Sequence, residues 1–409
     1  MKLWIKYIIG IILGIAAYYI LPVDSPVVSQ FIEGASEFSI RFGRYTLVPM
    51  LLFGISYSFF KLRETKQLTK TIFWTFSGII SSTLALLCLG IISIIIIKIP
   101  RFQITGEKIT EIPTIDIKNL IMQMFPYSSF DAINGGMFVL PVFVLAGFFG
   151  AGCASDKIAS KPIISLIESA TKLCYTVSNF FVEWISAGMI AITCYWFIQA
   201  RGFFKSNIFV PLSLMLLVDL ILFAVVICPV ALKLFCRDPK PFNVLYASIC
   251  PVIAAFFSAD SNFSLQVNMH HGRGSLGIHE QTNNFVYPLF SVFGRGGTAL
   301  VISICFVTIL RSYSLLGFVF SDIIWLFVTS FGISFVLGAI PSGGTFLAIG
   351  VLCTIYGRGF EAGYLLLRTA APILCSFAAA FDAVSAMYGS YLTAVKTKSF
   401  EHIELKHFV

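Results

Sequence analysis

The stretch SVFGRGGTALVIS, residues 291–303, places an arginine and three glycines in an otherwise apolar run. Arg295 has no neighbouring acid in the sequence, and apolar residues flank the stretch on both sides. A permanent charge in apolar surroundings is costly unless a counter-charge or a polar cavity faces it. The fold around Arg295 must therefore provide such a partner.

The composition around this stretch is that of a membrane protein. Of 409 residues, 57% are hydrophobic and only 12% are charged, against ~25% charged in a typical soluble domain. Apolar runs recur, as in 7–23, 78–97 and 210–235, and each approaches or exceeds the ~20 residues that cross a hydrocarbon core. We therefore predict an all-α polytopic membrane protein that contacts the lipid bilayer. The formal charge of +8 falls mainly in short loops and does not indicate nucleic-acid binding.

The first half of the chain is predicted to contain continuous transmembrane helices. Their approximate bounds are 3–22, 27–60, 66–98, 118–153, 161–200 and 206–235. The segment 99–117 is polar and is predicted to be extracellular. Basic loops alternate with less basic ones, which places both termini in the cytoplasm of a multi-pass protein in the inner (cytoplasmic) membrane.

The pattern changes in the second half, where apolar segments are interrupted. Segment 242–271 has two apolar arms that flank the polar SADSNFS (258–264), and 322–357 breaks at GAIPSGGT (338–345). Each arm is roughly half a span long, so both segments are predicted to be re-entrant hairpins. Between them, 280–312 is a span interrupted at GRGGT (294–298), and a last span covers about 361–397.

These three interruptions indicate either a shared site or close helix packing. Irregular backbone at membrane depth is tolerated where protein buries it or water reaches it. Paired broken segments indicate the substrate site of a transporter, whereas glycine alone also serves close packing of helices. Two hairpin-like breaks and a glycine cluster that carries an arginine favour the site.

The order of these motifs resembles the dicarboxylate/amino acid:cation symporters, the glutamate-transporter family. RFGRYTLVPMLLFGISYSFFKL (41–62) is similar to the second helix of that family, CRDPKPF (236–242) to the entry of its first hairpin, and SADSNFSLQVNM (258–269) to the serine-rich tip. GRGGTA (294–299) stands where the family has Asn-Met-Asp-Gly-Thr-Ala, and GAIPSGGTF (338–346) is similar to the second tip.

The resemblance implies a homotrimeric elevator transporter with eight transmembrane helices and two re-entrant hairpins. A scaffold would comprise helices 1–2 (1–65) and helices 4–5 with an extracellular loop (99–205). A moving transport domain would comprise helix 3 (66–98) and the segment 206–398, with helix 6, both hairpins, broken helix 7 and helix 8. Residues 399–409 would form a cytoplasmic tail.

The sequence departs from the family where the family binds cations and substrate. The motif's asparagine and aspartate become Gly294 and Gly296, and Arg295 stands between them. Ser82 and Thr83 fall at the family's Thr-Ser pair, so hydroxyl ligands are retained there. In the last span, an ungapped match on Gly389 turns the family's acid, arginine, asparagine and acid into the following residues: Ala379, Asp382, Ala386 and Ser390.

We therefore expect Arg295 and Asp382 to pair at the centre of the transport domain. An unpaired charge at the bilayer centre costs ~2.5–3.5 kcal/mol on insertion scales, and such residues nearly always pair or face a cavity. The guanidinium would substitute for a coupling cation, with Asp260 as a second candidate partner. Three roles stay open, namely a static ion pair, contact with the substrate, and proton coupling through Asp382.

The candidate residues form two overlapping sets. The predicted substrate-binding residues are Ser258, Asp260, Ser261, Asn262, Arg295, Thr298, Gly343, Gly344, Thr345, Asp382, Ser385 and Ser390. The predicted ion-coupling residues are Ser82, Thr83, Gly294, Arg295, Gly296 and Asp382. Outside these sets, His270, His271 and His279 are predicted to be solvated in a cytoplasmic loop, and Glu168 and Lys172 to form a structural pair along a helix.

The function expected from these features is secondary active transport of a small amino acid or carboxylic acid. Sodium coupling is not expected, and proton coupling or ion-independent transport replaces it. The alternative is a non-transporting receptor or regulator, or an anion-conducting channel, on the same scaffold. The ten cysteines form no ligand-spaced cluster, and no nucleophile–base constellation is visible, so neither a cofactor, a metal site nor an enzyme is predicted.

Overall fold

The computed structural model describes residues 2–97, 99–101, 122, 125–134, 139–206, 208–236, 240–313, 320–336, 344–357 and 360–408. These residues are helical apart from turns and one isolated β-bridge between Ile278 and Phe400. The first group of helices comprises α1 (Leu3–Ile20), α2 (Pro26–Arg44), α3 (Leu47–Glu64), α4 (Leu68–Ile96), α5 (Ser129–Asn134), α6 (Val139–Ser155), α7 (Lys161–Gln199) and α8 (Arg201–Ser206).

The second group begins with α9 (Val210–Leu222), which continues through a π-helical turn (Phe223–Ile227) into α10 (Cys228–Cys236). It goes on with α11 (Phe242–Ser258), α12 (Ser261–Gly274), α13 (Glu280–Phe293), α14 (Gly296–Tyr313), α15 (Phe320–Val336), α16 (Gly344–Tyr356) and α17 (Ala371–Thr397). A 3₁₀ segment, Gly363–Ala370, leads into α17.

Seven helical segments in the described part of the chain are long and apolar enough to cross a membrane. Four shorter apolar helices, α6, α11, α15 and α16, accompany them. The prediction of an all-helical protein with several apolar spans is therefore confirmed. The predicted extracellular segment 99–117 lies outside the described residues beyond Arg101.

The second predicted span, 27–60, is not one straight helix. The structure divides it into α2 and α3 at Tyr45 and Thr46. Pro49 explains the break, because its ring clashes with the carbonyl of the residue four positions earlier, which is Tyr45. The division places Arg44 at the end of α2, and this position matters for the site.

The prediction of a continuous helix over 118–153 is wrong. Residues 125–128 are not helical, and α6 begins only at Val139. Pro126 disfavours helical geometry in the residue before it. The hydroxyl of Ser128 accepts a hydrogen bond from the backbone N–H of Phe130 at 3.2 Å, which starts the short helix α5 instead.

The helices α13, α14 and α17 form the centre of the protein. In the most apolar stretch of α13–α14, 94% of the residues are buried, and the share is 89% in the segment that includes α17. The corresponding share for α1 is only 22%. The central helices thus carry the residues that are shielded from the surroundings on all sides.

Helices α1, α2 and α3 pack against α7, and α3 also contacts the central helix α13. A Cβ at Gly10 would lie 2.5 Å from the carbonyl oxygen of Ser186, and one at Gly14 would lie 2.7 Å from that of Ile190. Small residues four apart allow this close approach of α1 to α7. On the other side, α3 packs against α13, and α2 contacts α12.

Candidate functional site

The site is built on the break between α13 and α14. Gly294 and Arg295 are not helical, and α14 starts at Gly296. The backbone N–H of Gly297 donates to Oδ1 of Asp382 on α17 at 2.7 Å. A carboxylate is favoured at a helix N-terminus because the first N–H groups lack helical partners and the helix dipole is positive there.

Glycine at position 297 is required for this approach. An added Cβ would lie 2.4 Å from the carbonyl oxygen of Ala378 and 2.4 Å from Cβ of Phe381. Both atoms belong to α17, so any side chain at 297 would push the two central helices apart. Gly294 is similarly confined, since a Cβ there would lie 2.6 Å from the carbonyl oxygen of Phe290.

Arg295 and Asp382 face each other in this break. Nη1 of Arg295 lies 3.8 Å from Oδ2 of Asp382, and both residues are only 6% exposed. Nε of Arg295 and Oδ2 of Asp382 have no hydrogen-bond partner among the described residues. The structure thus brings together the two charges that the sequence suggested would pair, and it leaves hydrogen-bonding capacity on each.

The two hydroxyls predicted as cation ligands point to different faces of α4. Thr83 is fully buried beside Gly296, where an added Cβ would lie 3.3 Å from its Oγ1. That Oγ1 has no hydrogen-bond partner in the described part of the chain. Ser82 instead lines a mostly apolar cavity of about 180 Å³ between α4, the π-helical turn, α10 and α17.

The side chains around the break do not fit a sodium site of the kind that the resemblance implies. Hard cations require oxygen ligands. Gly294 and Gly296 supply no side-chain oxygen, and Arg295 brings a positive charge between them. Asp382, the carboxylate of the break, faces that charge and receives the N–H of Gly297. Among the described residues at the break, the hydroxyls of Thr83 and Thr298 remain as neutral oxygen ligands.

The tip between α11 and α12 is a tight turn with its own hydrogen bonds. Ala259 adopts a left-handed conformation with φ of 50°. The Ser258 hydroxyl donates to the Ala254 carbonyl at 2.6 Å and accepts the Asp260 N–H at 3.2 Å. Ser258 therefore stabilises the turn. The Ser261 hydroxyl has no partner among the described residues, while Oδ1 of Asn262 accepts from Ser291 at 3.4 Å.

Asp260 forms an ion pair with Arg44, which was not predicted as its partner. Its Oδ2 lies 2.8 Å from Nη1 of Arg44 at the end of α2, and its Oδ1 accepts the N–H of Asn262 at 2.8 Å. Arg44 is therefore the direct partner of Asp260, and the charge of Asp260 also acts on Arg295 as a second electrostatic interaction. The sequence could not show this contact because the two residues are 216 positions apart.

At the second tip, Gly343 and the preceding residues from 337 lie outside the described residues. Gly344 begins α16, and Thr345 is buried against the break. The hydroxyls of Thr345 and Thr298 are 3.4 Å apart. This contact places the start of α16 next to the start of α14.

Two further predicted residues, Ser385 and Ser390, follow Asp382 along α17. The Ser385 hydroxyl donates to the Asp382 carbonyl at 2.9 Å, and Ser385 also lines the 180 Å³ cavity. Ser390 is 1% exposed, and its hydroxyl has no partner within the described segments. Ser385 is thus engaged by its own helix, whereas the Ser390 hydroxyl retains its hydrogen-bonding capacity.

The histidine prediction is wrong for two of the three residues. His270 and His271 lie in α12 and are 7% and 3% exposed. Nδ1 of His270 lies 2.7 Å from Oδ1 of Asn179, and Nδ1 of His271 lies 3.2 Å from the Ser275 hydroxyl. Because α12 continues through SLQVNMHHGRG, the basic character of this stretch belongs to a buried helix and not to a loop. His279 lies at the start of α13 with its side chain 40% exposed.

One buried acid, Asp219, was not among the residues predicted from the sequence. Asp219 lies within α9 and is 3% exposed, and its Oδ1 accepts a hydrogen bond from Ser93 at 2.5 Å. The signal was visible as a single acid in VPLSLMLLVDLILF (210–223). An ionisable residue within a transmembrane segment indicates a functional position by default.

Comparison with known proteins identifies a family but no individual curated relative. A model of the family described as "Sodium:dicarboxylate symporter family" matches residues 3–396, which is nearly the whole chain. No curated protein matches the chain.

Proposed function

The chain belongs to the sodium:dicarboxylate symporter family, and we propose that it moves a small amino acid or carboxylic acid by an elevator mechanism. We further propose that this transport is not coupled to sodium. The family and the apolar helices make it a multi-pass membrane protein with a small-molecule substrate. The observation that supports the proposal best is the buried Arg295–Asp382 pair at the break of a central helix.

In the proposed mechanism, the positive charge of Arg295 takes the place of a coupling cation. A guanidinium keeps its charge at all physiological pH values and carries five N–H donors. Its Nε is without a partner in the described residues, so it can receive a substrate carboxylate. Asp382 repels a carboxylate at its own position and favours a neutral or amino group there.

The substrate site is proposed to lie between the two hairpin tips. The Ser261 hydroxyl at the first tip, Thr298 and Thr345 near the second, and Ser390 on α17 are the polar groups that surround it. Backbone N–H groups at helix N-termini bind anionic substrate groups in transporters with broken helices. At the starts of α12 and α14, the N–H groups of Asn262 and Gly297 already donate to Asp260 and Asp382, so the proposal assigns the substrate carboxylate to the Arg295 guanidinium.

The moving unit is proposed to comprise 66–98 and 206–398, and the scaffold to comprise 1–65 and 99–205. The contacts of α3 with α13 and of α2 with α12 would then form the sliding surface. The ion pair of Arg44 with Asp260 would cross that surface and would have to open when the domain moves. A homotrimer in the cytoplasmic membrane, with both termini in the cytoplasm, completes this proposal.

A ligand screen tests the proposal first. The purified protein is heated with a panel of amino acids and organic acids, in sodium and in potassium buffers. Ligands that bind the folded state raise its melting temperature. We expect a small amino or carboxylic acid to stabilise the protein equally in both buffers. Stabilisation that requires sodium would contradict the proposed role of Arg295.

Counterflow in proteoliposomes then tests for transport. Vesicles loaded with the unlabelled ligand should accumulate the labelled ligand from outside, because a carrier exchanges one molecule for another. An anion conductance without exchange would indicate a channel, and neither exchange nor conductance would indicate a receptor. Either result would overturn the assignment as a transporter.

A further inference from the structure

Asp219 lies at membrane depth. It is the tenth residue of the segment Val210–Cys236, whose 27 residues span about 40 Å at ~1.5 Å per residue. Asp219 is therefore about 14 Å from the start of the segment, which is within the ~30 Å of the hydrocarbon core. Its depth follows from helix geometry and from the apolar residues on both sides.

Among the described residues, the surroundings of Asp219 provide one hydroxyl and no counter-charge. Oδ1 accepts from Ser93 of α4 at 2.5 Å, and Oδ2 has no hydrogen-bond partner among the described residues. The elements that pack against α9 are α4, the π-helical turn and α17. Their titratable side chains are Lys70, Cys88, Cys375, Asp382, Tyr388, Tyr391 and Lys396. None of these forms an ion pair with Asp219 within the described segments.

This environment disfavours the ionised form of the carboxyl group. A buried carboxylate needs a counter-charge or several N–H donors, and the alternative is that it takes up a proton. Asp382 has both an arginine and a backbone N–H. Asp219 has neither, and a proton on Oδ2 removes the charge while the Ser93 hydroxyl still donates to Oδ1.

We propose that Asp219 is a proton-binding site that fills as the pH falls below neutral and that moves with the transport domain. Its partner Ser93 lies on α4, and both helices belong to the proposed moving unit. A proton on Asp219 would therefore cross the membrane with the substrate. This coupling role rests on the proposed function, whereas the protonation of Asp219 does not.

A second feature lies one turn after Asp219. The π-helical turn Phe223–Ile227 frees backbone carbonyls, and that of Ala224 accepts from the Tyr388 hydroxyl at 3.0 Å. Insertions of this kind occur frequently at functional sites. The turn also borders the 180 Å³ cavity, which gives this part of α9–α10 room to adjust when Asp219 changes charge.

Infrared spectroscopy of the full-length protein during a pH titration tests the protonation directly. We expect the wild type to show a protonated-carboxyl band that grows as the pH falls below neutral, and Asp219→Asn should remove the Asp219 component of this band. Ser93→Ala should shift the frequency of this band, because it removes the hydrogen bond to Oδ1. Asp131→Asn, which changes an exposed aspartate, should leave the band unchanged. A pH titration of the band that is the same in the wild type and in Asp219→Asn would overturn the proposal.

The coupling role is tested in proteoliposomes with an imposed proton gradient. An inward gradient should accelerate uptake by the wild type, and Asp219→Asn should abolish this acceleration while exchange continues. Uptake by Asp219→Asn that still responds to the gradient would overturn the coupling role. If no solute is exchanged at all, the proposed function fails, and the infrared result still decides whether Asp219 binds a proton.

Discussion

Two arginine–aspartate pairs in this protein differ in geometry, in burial and in the elements that they join, since Arg44 is partly exposed and Arg295 is buried. Arg44 and Asp260 are in direct contact at 2.8 Å, and they connect α2 to the tip between α11 and α12. Arg295 and Asp382 are 3.8 Å apart, and they lie within the central helices. The first pair ties two structural units together, whereas the second is held mainly by backbone geometry.

The wider pair retains more capacity for a ligand. Nε of Arg295 and Oδ2 of Asp382 have no hydrogen-bond partner among the described residues, whereas both carboxylate oxygens of Asp260 are engaged. A buried group with an unmet hydrogen bond requires an explanation. Under the proposed function, a bound substrate would use this capacity at Arg295 and Asp382, whereas both oxygens of Asp260 are already engaged.

The largest effect is expected when one member of the central pair is removed. Asp382→Asn leaves a buried guanidinium that cannot lose its proton, and breaking a buried pair costs about 3–5 kcal/mol. Arg295→Met should cost less, since a carboxyl group can take up a proton. The double variant Arg295→Met/Asp382→Asn should recover stability relative to Asp382→Asn. Thermal unfolding in detergent measures all three variants, and a wild-type melting temperature for Asp382→Asn would refute the pairing.

A smaller effect is expected at the glycine that allows the central pair to form. Gly297→Ala introduces a Cβ 2.4 Å from atoms of α17, and overpacking of this kind costs about 1–3 kcal/mol. Gly147→Ala is the matched control, because no atom of the described residues lies within 4 Å of a Cβ there. The same unfolding assay should show a loss at Gly297 only. Equal melting temperatures for the two variants would show that α14 and α17 can separate without cost.

The peripheral pair should affect movement more than stability. Asp260→Asn keeps an acceptor for the start of α12 but removes the charge that faces Arg44. We therefore expect the free energy of unfolding to fall by only about 1 kcal/mol, and the rate of substrate exchange to increase. Glu168→Gln is the control for an exposed pair, whose partner Lys172 lies 2.8 Å away, and it should change stability by less than about 0.5 kcal/mol. An unchanged exchange rate in Asp260→Asn would mean that this pair does not limit the movement.

The sequence predicted the central features because each depends on local rules. The prediction of a break within 294–298 followed from its glycines, and the structure places the break at Gly294 and Arg295. The prediction of a turn within 258–264 followed from polar residues between two apolar arms, and the structure places the turn at Ala259 and Asp260. The pairing of Arg295 with Asp382 followed from the cost of an unpaired charge in lipid. The exposed pair of Glu168 and Lys172 followed from helical spacing.

The features that the sequence did not predict depend on tertiary contacts. Asp260 met Arg44 because Pro49 divides the second span, which sets where α2 ends. Ser82 and Thr83 are neighbours in sequence but face opposite environments, since successive helical residues point in different directions. His270 and His271 were assigned to a loop because a polar stretch at the membrane boundary and a polar stretch in a buried helix can have the same amino-acid composition.

The sodium dependence of exchange tests the central claim most directly. The initial rate of counterflow is measured for the wild type and for Arg295→Met, with sodium and with potassium on both sides of the membrane, using the ligand identified by thermal stabilisation. If Arg295 replaces a coupling cation, the wild-type rate is the same in both salts and Arg295→Met loses exchange in potassium. A wild-type rate that collapses without sodium, or an Arg295→Met rate equal to the wild type in potassium, would contradict the account.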